Sequence, residues 1–310
     1  MSQEDTPPHG TAGGLPITVI TEDGLEHSQI SAEELAGLIA RLGEPGAGHL
    51  VADRVPARPE VYLQASREGA GPYEIEVRDG FAEQPHTAIV HDQSQITAAF
   101  LLWARGEKAW RGDHDWHQPP APPDLDPDTL QEAEELTMEL LGGGFGGYEE
   151  IVESVADYFT DSGEQPVTTE QARLVVAPLW QARLAEQETW PEITDADRVE
   201  VAFDRLWDRG ITAEMNFSCC QNCGVAEIRE EADEDARGYV FFHAQDSERA
   251  AAGAGLMLAY GAFDDTAEDA AIGREVVDAL TEAGLPVVWS GSASERIHVT
   301  PLDWRRRLPS

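Results

Sequence analysis

All three cysteines of this 310-residue chain lie within five consecutive positions. They are Cys219, Cys220 and Cys223, and Gly224 follows the last of them. Cys220 and Cys223 have the CxxC spacing that proteins use both for metal ligation and for thiol redox chemistry. The grouping predicts one thiol-based functional site, and the sequence identifies no substrate for it.

A zinc site is the first chemistry that these residues could provide. Zinc takes four ligands, and Cys219, Cys220 and Cys223 with His243 would supply three sulfurs and one imidazole nitrogen. His243 ends a predicted strand, which is a place where side chains gather into a cleft. Because neighbouring residues of an extended chain point to opposite faces, ligation by both Cys219 and Cys220 requires a turn at that point.

Thiol chemistry is the second interpretation, with Cys220 and Cys223 as the reactive pair. If a helix begins at Gly224, its free amides and dipole would lower the pKa of a nearby thiol. The pattern departs from the usual redox motif, because Cys219 is adjacent to the pair and no aromatic residue precedes it. A third interpretation is that the thiols only pack as small buried hydrophobic groups. All three stay open, as does the question of whether the protein is an enzyme.

The elements around the cysteines form a predicted sheet with helices. Apolar residues alternate with polar ones over residues 211–217, which predicts a half-buried strand that leads straight into the cysteines. The helix before it has apolar residues at helical spacing, namely Val199, Ala202, Phe203, Leu206 and Trp207. Further strands are predicted at residues 239–243, 256–260, 287–290 and 296–300, and a helix at residues 266–283.

The rest of the chain predicts a second, separate module. Residues 17–20, 61–65, 73–77 and 87–90 have strand patterns, and helices are predicted over residues 31–42 and 96–103. Five prolines between His117 and Asp128 mark a linker. The predicted fold class is therefore α+β with two domains, each a small mixed sheet packed with helices, and a helical segment opens the second. The predicted boundaries are a disordered tail at 1–15, a domain at 16–116, a linker at 117–127 and a domain at 128–310.

The chain is strongly acidic, with 59 acidic against 21 basic residues and a formal net charge of -38. This charge disfavours nucleic acids and anionic membranes as partners, because phosphate binding draws on clustered Lys and Arg. A basic protein partner is the alternative functional prediction, with a non-enzymatic, immunity-type role and purely structural cysteines. Few cysteines in one short span, and the lack of a signal-like or membrane-spanning stretch, predict a cytoplasmic protein.

The motifs of the second half resemble a family of uncharacterised bacterial proteins that is abundant in actinobacteria. The resemblance covers about residues 125–310 and rests on residues 217–224 (FSCCQNCG), 238–243 (GYVFFH), 258–261 (LAYG) and 304–307 (WRRR). It implies a domain of unknown function with a CCxxCG motif and no established activity. Residues 16–118 resemble, only loosely, the small immunity-type domains of polymorphic toxin systems, in element order and acidity.

Overall fold

The chain divides into two units between Pro122 and Pro123, inside the proline-rich segment predicted to be a linker. The structure is a computed structural model and describes residues 14–56, 58–81, 85–161, 167–264 and 268–309. Both units combine a β-sheet with helices, which confirms the predicted α+β fold class. The predicted tail at 1–15 falls mostly outside the described residues.

The first unit contains a six-stranded sheet in the order β2-β1-β3-β4-β5-β6. Every pair of neighbouring strands in it is antiparallel. Its elements are β1 (Ile17–Thr21), β2 (Glu26–Ser28), α1 (Ala32–Ala40), β3 (His49–Arg54), β4 (Val61–Arg67), β5 (Tyr73–Asp79), β6 (His86–Val90) and α2 (Gln93–Ala104), followed by a short 3-10 helix (Lys108–Arg111).

Strand alternation and helix capping explain these elements. Alternate residues of the central strands, such as Leu63 and Ile75, are fully buried in one core with Phe100 of α2. Helix α1 begins as expected, because the backbone N–H of Glu34 donates to Ser31 Oγ at 3.2 Å and the Glu34 carboxylate accepts from the Ser31 backbone. Sequence analysis missed β2 and β3, since β2 has three residues and β3 ends in charged positions.

The second unit opens with three helices and then builds a five-stranded sheet in the order β10-β11-β9-β8-β7. Its elements are α3 (Pro127–Gly143), α4 (Tyr148–Asp161), α5 (Thr169–Gln187), α6 (Asp195–Asp208), β7 (Ile211–Glu214), α7 (Gln221–Glu227), β8 (Gly238–Phe241), α8 (Ala244–Ala251), β9 (Leu256–Ala262), α9 (Asp269–Glu282), β10 (Val287–Val288) and β11 (Ile297–Val299).

One face of this sheet carries the main core of the second unit. The predicted inner face of α6 is buried there, including Val199 and Phe203, and Val276 and Leu280 of α9 join it. The opposite face has a small cluster in which Phe241 and Ile228 are buried. Buried apolar residues therefore lie on both faces of this sheet.

The parallel pair β7 and β8 sets the position of the cysteines. Ile211 to Glu214 pair in register with Gly238 to Phe241, so both strands end at the same edge of the sheet. A helix follows each strand there, α7 after β7 and α8 after β8. Carboxyl ends of neighbouring parallel strands are where such sheets bind ligands. Sequence analysis extended β7 to residue 217 and missed α8, which has only eight residues.

Among the described residues, no helix combines the length and the apolar character needed to cross a bilayer.

The domain boundaries give a first testable prediction. Residues 118–121 are exposed, whereas on either side the chain is held: His117 N donates to Thr87 O at 3.0 Å, and Gln171 Nε2 donates to Pro123 O at 2.8 Å. We expect limited proteolysis with a broad-specificity protease to cut first within residues 117–127 and to leave two stable fragments. Early cleavage elsewhere, with this segment protected, would contradict the boundaries.

Candidate functional site

The loop between β7 and α7 carries the cysteines through two left-handed residues. Asn216 has φ of 54° and Ser218 has φ of 62°, and Cys220 then returns to extended backbone at φ of -155° as the N-cap of α7. The reversal at Ser218 lies directly before Cys219. The loop thus reverses its backbone direction before it reaches the three cysteines.

Hydrogen bonds attach this loop to the connection between β8 and α8. Phe217 N donates to Phe242 O at 2.8 Å, and Ala244 N donates to Ser218 O at 3.2 Å. The hydroxyl of Ser247 donates to Asn216 Oδ1 at 2.7 Å. The position of the cysteines therefore depends on the start of α8.

Gly224 lets α7 pack closely against the sheet. A Cβ atom at this position would lie 2.7 Å from Cζ of the Phe241 ring, which is too close for any other residue unless the helix or the ring moves. Because Gly224 directly follows Cys223, this close contact with Phe241 sets the distance between the CxxC segment and strand β8. The glycine of the sequence motif thus has a steric role.

The three cysteine sulfurs lie within 4.8 Å of one another. Cys219 is exposed, and Cys220 and Cys223 are partly exposed. The pKa of Cys220 is lowered, chiefly because the backbone N–H of Cys223 stabilises its thiolate form. The pKa of Cys223 is raised to about 11, first by its hydrogen bond to Cys220 and then by Cys219. Contacts within the cluster thus shift the pKa values of Cys220 and Cys223 in opposite directions.

The structure does not bring His243 into this group. No other His, Cys, Asp or Glu of the described residues offers a ligand atom within 4.8 Å of all three sulfurs. His243 is instead the N-cap of α8, and its Nε2 lies 3.0 Å from Asp246 Oδ2. Burial lowers the pKa of His243 despite the Asp246 carboxylate. A neutral imidazole that donates from Nε2 leaves a lone pair on Nδ1, which is buried and has no hydrogen-bond partner within the described part of the chain.

A buried ion pair holds His243 in place. The Asp246 side chain is fully buried, and Arg296 contacts both of its carboxylate oxygens, with Nη1 to Oδ1 at 3.1 Å. Arg296 Nη2 also donates to Met257 O at 2.6 Å, which ties the pair to β9. The roles of Asp246 and Arg296 could not be found from the sequence, because 50 positions separate them.

A cavity of about 300 Å³ lies beside the first turn of α8 and Asn216. Its wall includes Glu139, Glu150 and Glu248 and contains no cysteine. The pKa of Glu248 is raised by burial first and by Glu139 second. Sequence analysis missed this cavity, because its wall comes from helices α3, α4 and α8 and from the loop after β7.

The fold and the site define an α+β domain with a thiol cluster where a strand ends and a helix begins. The chain belongs to the family DUF6891, described as a domain of unknown function, whose model matches residues 126–308. This confirms the resemblance to an uncharacterised family, and the matched range contains the three cysteines, His243, Asp246 and Arg296. No curated protein and no solved structure matches the chain.

Substitution of Ser218 tests whether this residue has left-handed backbone. We expect Ser218→Val to lower the free energy of unfolding of the second unit by about 1 kcal/mol or more, because β-branched residues tolerate the left-handed region poorly. Ser218→Gly is the matched control and should leave stability equal or higher. Urea denaturation measures both variants. Equal stability of the two variants would contradict a left-handed Ser218.

Substitution of Asp246 tests the buried ion pair. Asp246→Ala should lower the free energy of unfolding by about 3–5 kcal/mol, because it leaves Arg296 without its partner. The control is Asp303→Ala, which breaks the exposed Arg305–Asp303 pair and should cost about 0–1 kcal/mol. Urea denaturation compares the two, and hydrogen exchange of peptides from α8 locates the effect. A loss as small as that of the control would show that the pair does not anchor α8.

Proposed function

We propose that the second unit is a metal-binding domain in which Cys219, Cys220 and Cys223 hold a thiophilic divalent ion, with zinc as the leading candidate. The observation that carries the proposal is the approach of all three sulfurs to within 4.8 Å of one another. Sulfur atoms bound at about 2.3 Å to one tetrahedral zinc are about 3.8 Å apart. The thiols are therefore close to the spacing that a shared ion needs.

The surroundings of the cluster favour bound thiolates. Metal ligands must be deprotonated, and the backbone N–H of Cys223 already favours the thiolate of Cys220, whose pKa it lowers. The left-handed Ser218 and the close packing at Gly224 hold the loop in the shape that gathers the sulfurs. Packing alone would bury the thiols, yet Cys219 is exposed. Exposure therefore argues against a purely structural role as small hydrophobic residues.

Thiol redox chemistry is the second candidate, and a specific observation favours it. Cys220 is the N-cap of α7 and Cys223 lies in its first turn, which is where helix amides activate the first thiol of a CxxC pair. A disulfide between Cys220 and Cys223 would leave Cys219 outside the reaction. Cys219 therefore distinguishes the two functions.

Cys219→Ser separates the two candidates. If the cluster binds metal, the purified protein should contain about one equivalent of zinc. Cys219→Ser should then weaken binding on the order of 100-fold, because the binding free energy of a whole zinc site, about 10–16 kcal/mol, is divided among its ligands. If the cluster is a redox pair, Cys219→Ser should still form the Cys220–Cys223 disulfide on mild oxidation. Elemental analysis, zinc titration and mass spectrometry of the oxidised protein measure these outcomes.

Cys223→Ser is the matched control, since it should abolish the disulfide and weaken metal binding as well. A metal-free protein whose thiols react only after denaturation would contradict both candidates. The predicted basic protein partner and the cytoplasmic location are independent of this result and stay predictions.

A further inference from the structure

The cysteine cluster supplies three ligands, which is one fewer than a closed zinc site uses. The chain contains three cysteines, and all of them are in the cluster. Within the described ranges, no fourth His, Cys, Asp or Glu has a ligand atom within 4.8 Å of all three sulfurs. An ion held by these residues therefore has a coordination position that the described part of this chain does not fill.

His243 is the residue that could most readily be expected to fill that position, and the structure holds it elsewhere. Asp246 Oδ2 lies 3.0 Å from His243 Nε2 and 3.3 Å from the His243 backbone N, so the carboxylate fixes both the ring and the main chain. Arg296 fixes the carboxylate in turn. Movement of the ring to the cluster would break a hydrogen bond of a fully buried carboxylate, which disfavours such a movement.

The open position is accessible from solvent. Cys219 is exposed and Cys220 and Cys223 are partly exposed, so the cluster lies at the surface. Sites with three protein ligands and an exchangeable fourth are the arrangement in which zinc meets substrates, whereas four-ligand sites are structural.

The donor set decides which exogenous ligand suits this position. Three thiolates on a divalent ion give a soft site with a net charge of about -1, and soft sulfur donors are the preferred further ligand of such an ion. A fourth sulfur would also complete the all-sulfur, four-ligand set that many structural zinc sites use. The strong negative charge of the chain disfavours anionic molecules.

We propose that this site binds a low-molecular-weight thiol, neutral or cationic, as the fourth ligand of the ion, an inference that rests on the proposed metal-binding function. On binding, the S–H bond of the thiol breaks, its proton goes to solvent water, and a sulfur–metal bond forms as a solvent molecule leaves. No atom changes oxidation state. The bound thiol is thereby a thiolate at neutral pH.

Cobalt(II) substitution of the full chain tests the proposal, because the charge-transfer absorption of cobalt reports the number of bound thiolates. Addition of 2-mercaptoethanol should raise this absorption saturably, by roughly one third, as three thiolates become four. Ethylene glycol, which replaces the thiol with a hydroxyl, is the matched control and should have no effect. The cobalt should remain with the protein through gel filtration, and about one proton should be released for each thiol bound.

The outcomes distinguish a failure of thiol binding from a failure of metal binding. If cobalt binds but the absorption does not respond to 2-mercaptoethanol, or if the thiol removes the cobalt, thiol binding is wrong and metal binding stands. If no cobalt–thiolate absorption develops at all, the proposed metal-binding function fails. His243→Gln should respond as the natural chain does; a thiol response that only this variant shows would overturn the proposal, because it would make His243 the fourth ligand.

Discussion

The buried carboxylate of Asp246 is the interaction on which the edge of the second sheet depends. A fully buried charge is tolerated only when it is paired and hydrogen-bonded, and Asp246 meets that condition through Arg296 and His243. The pair joins the first turn of α8 to the residue directly before β11. Because Ser218 O accepts from Ala244 N, the cysteine loop is attached to this anchored turn. The order of the thiol cluster thus derives from a charge pair that contains no thiol.

Much of the second unit could be predicted from the sequence, because its elements carry strong local signals. The apolar positions of α6 recur at helical spacing, and Val199, Phe203 and Leu206 are buried as that spacing requires. The alternation in residues 211–217 correctly placed a strand before the cysteines. Its last three residues are not in the strand, because the left-handed Asn216 ends the regular pairing. Alternating polarity cannot reveal a backbone reversal of that kind.

The site was predictable in its composition and not in its geometry. The spacing of Cys219, Cys220 and Cys223 was enough to predict one shared site. It also indicated that Cys219 and Cys220 could serve the same ion only if the chain turned between them. The left-handed backbone of Ser218, directly before the cysteines, could not be derived, since serine has no strong preference for that conformation. His243 was a reasonable fourth ligand because it ends a neighbouring strand. His243 instead contacts Asp246, whose charge is balanced by Arg296. Because 50 positions separate Asp246 from Arg296, their contact leaves no periodic signal in one sequence.

The charge of the cluster depends on how many of its thiols ionise. Three thiolates repel one another, so their gathering is favourable only where amides or a cation offset the charge. Helix α7 supplies the backbone N–H of Cys223, whose effect the pKa of Cys220 records. That group stabilises one thiolate, and the raised pKa of Cys223 shows that the cluster without a cation resists a second. The cation that we propose would let all three thiols ionise, and the exposure of Cys219 would give it access from solvent.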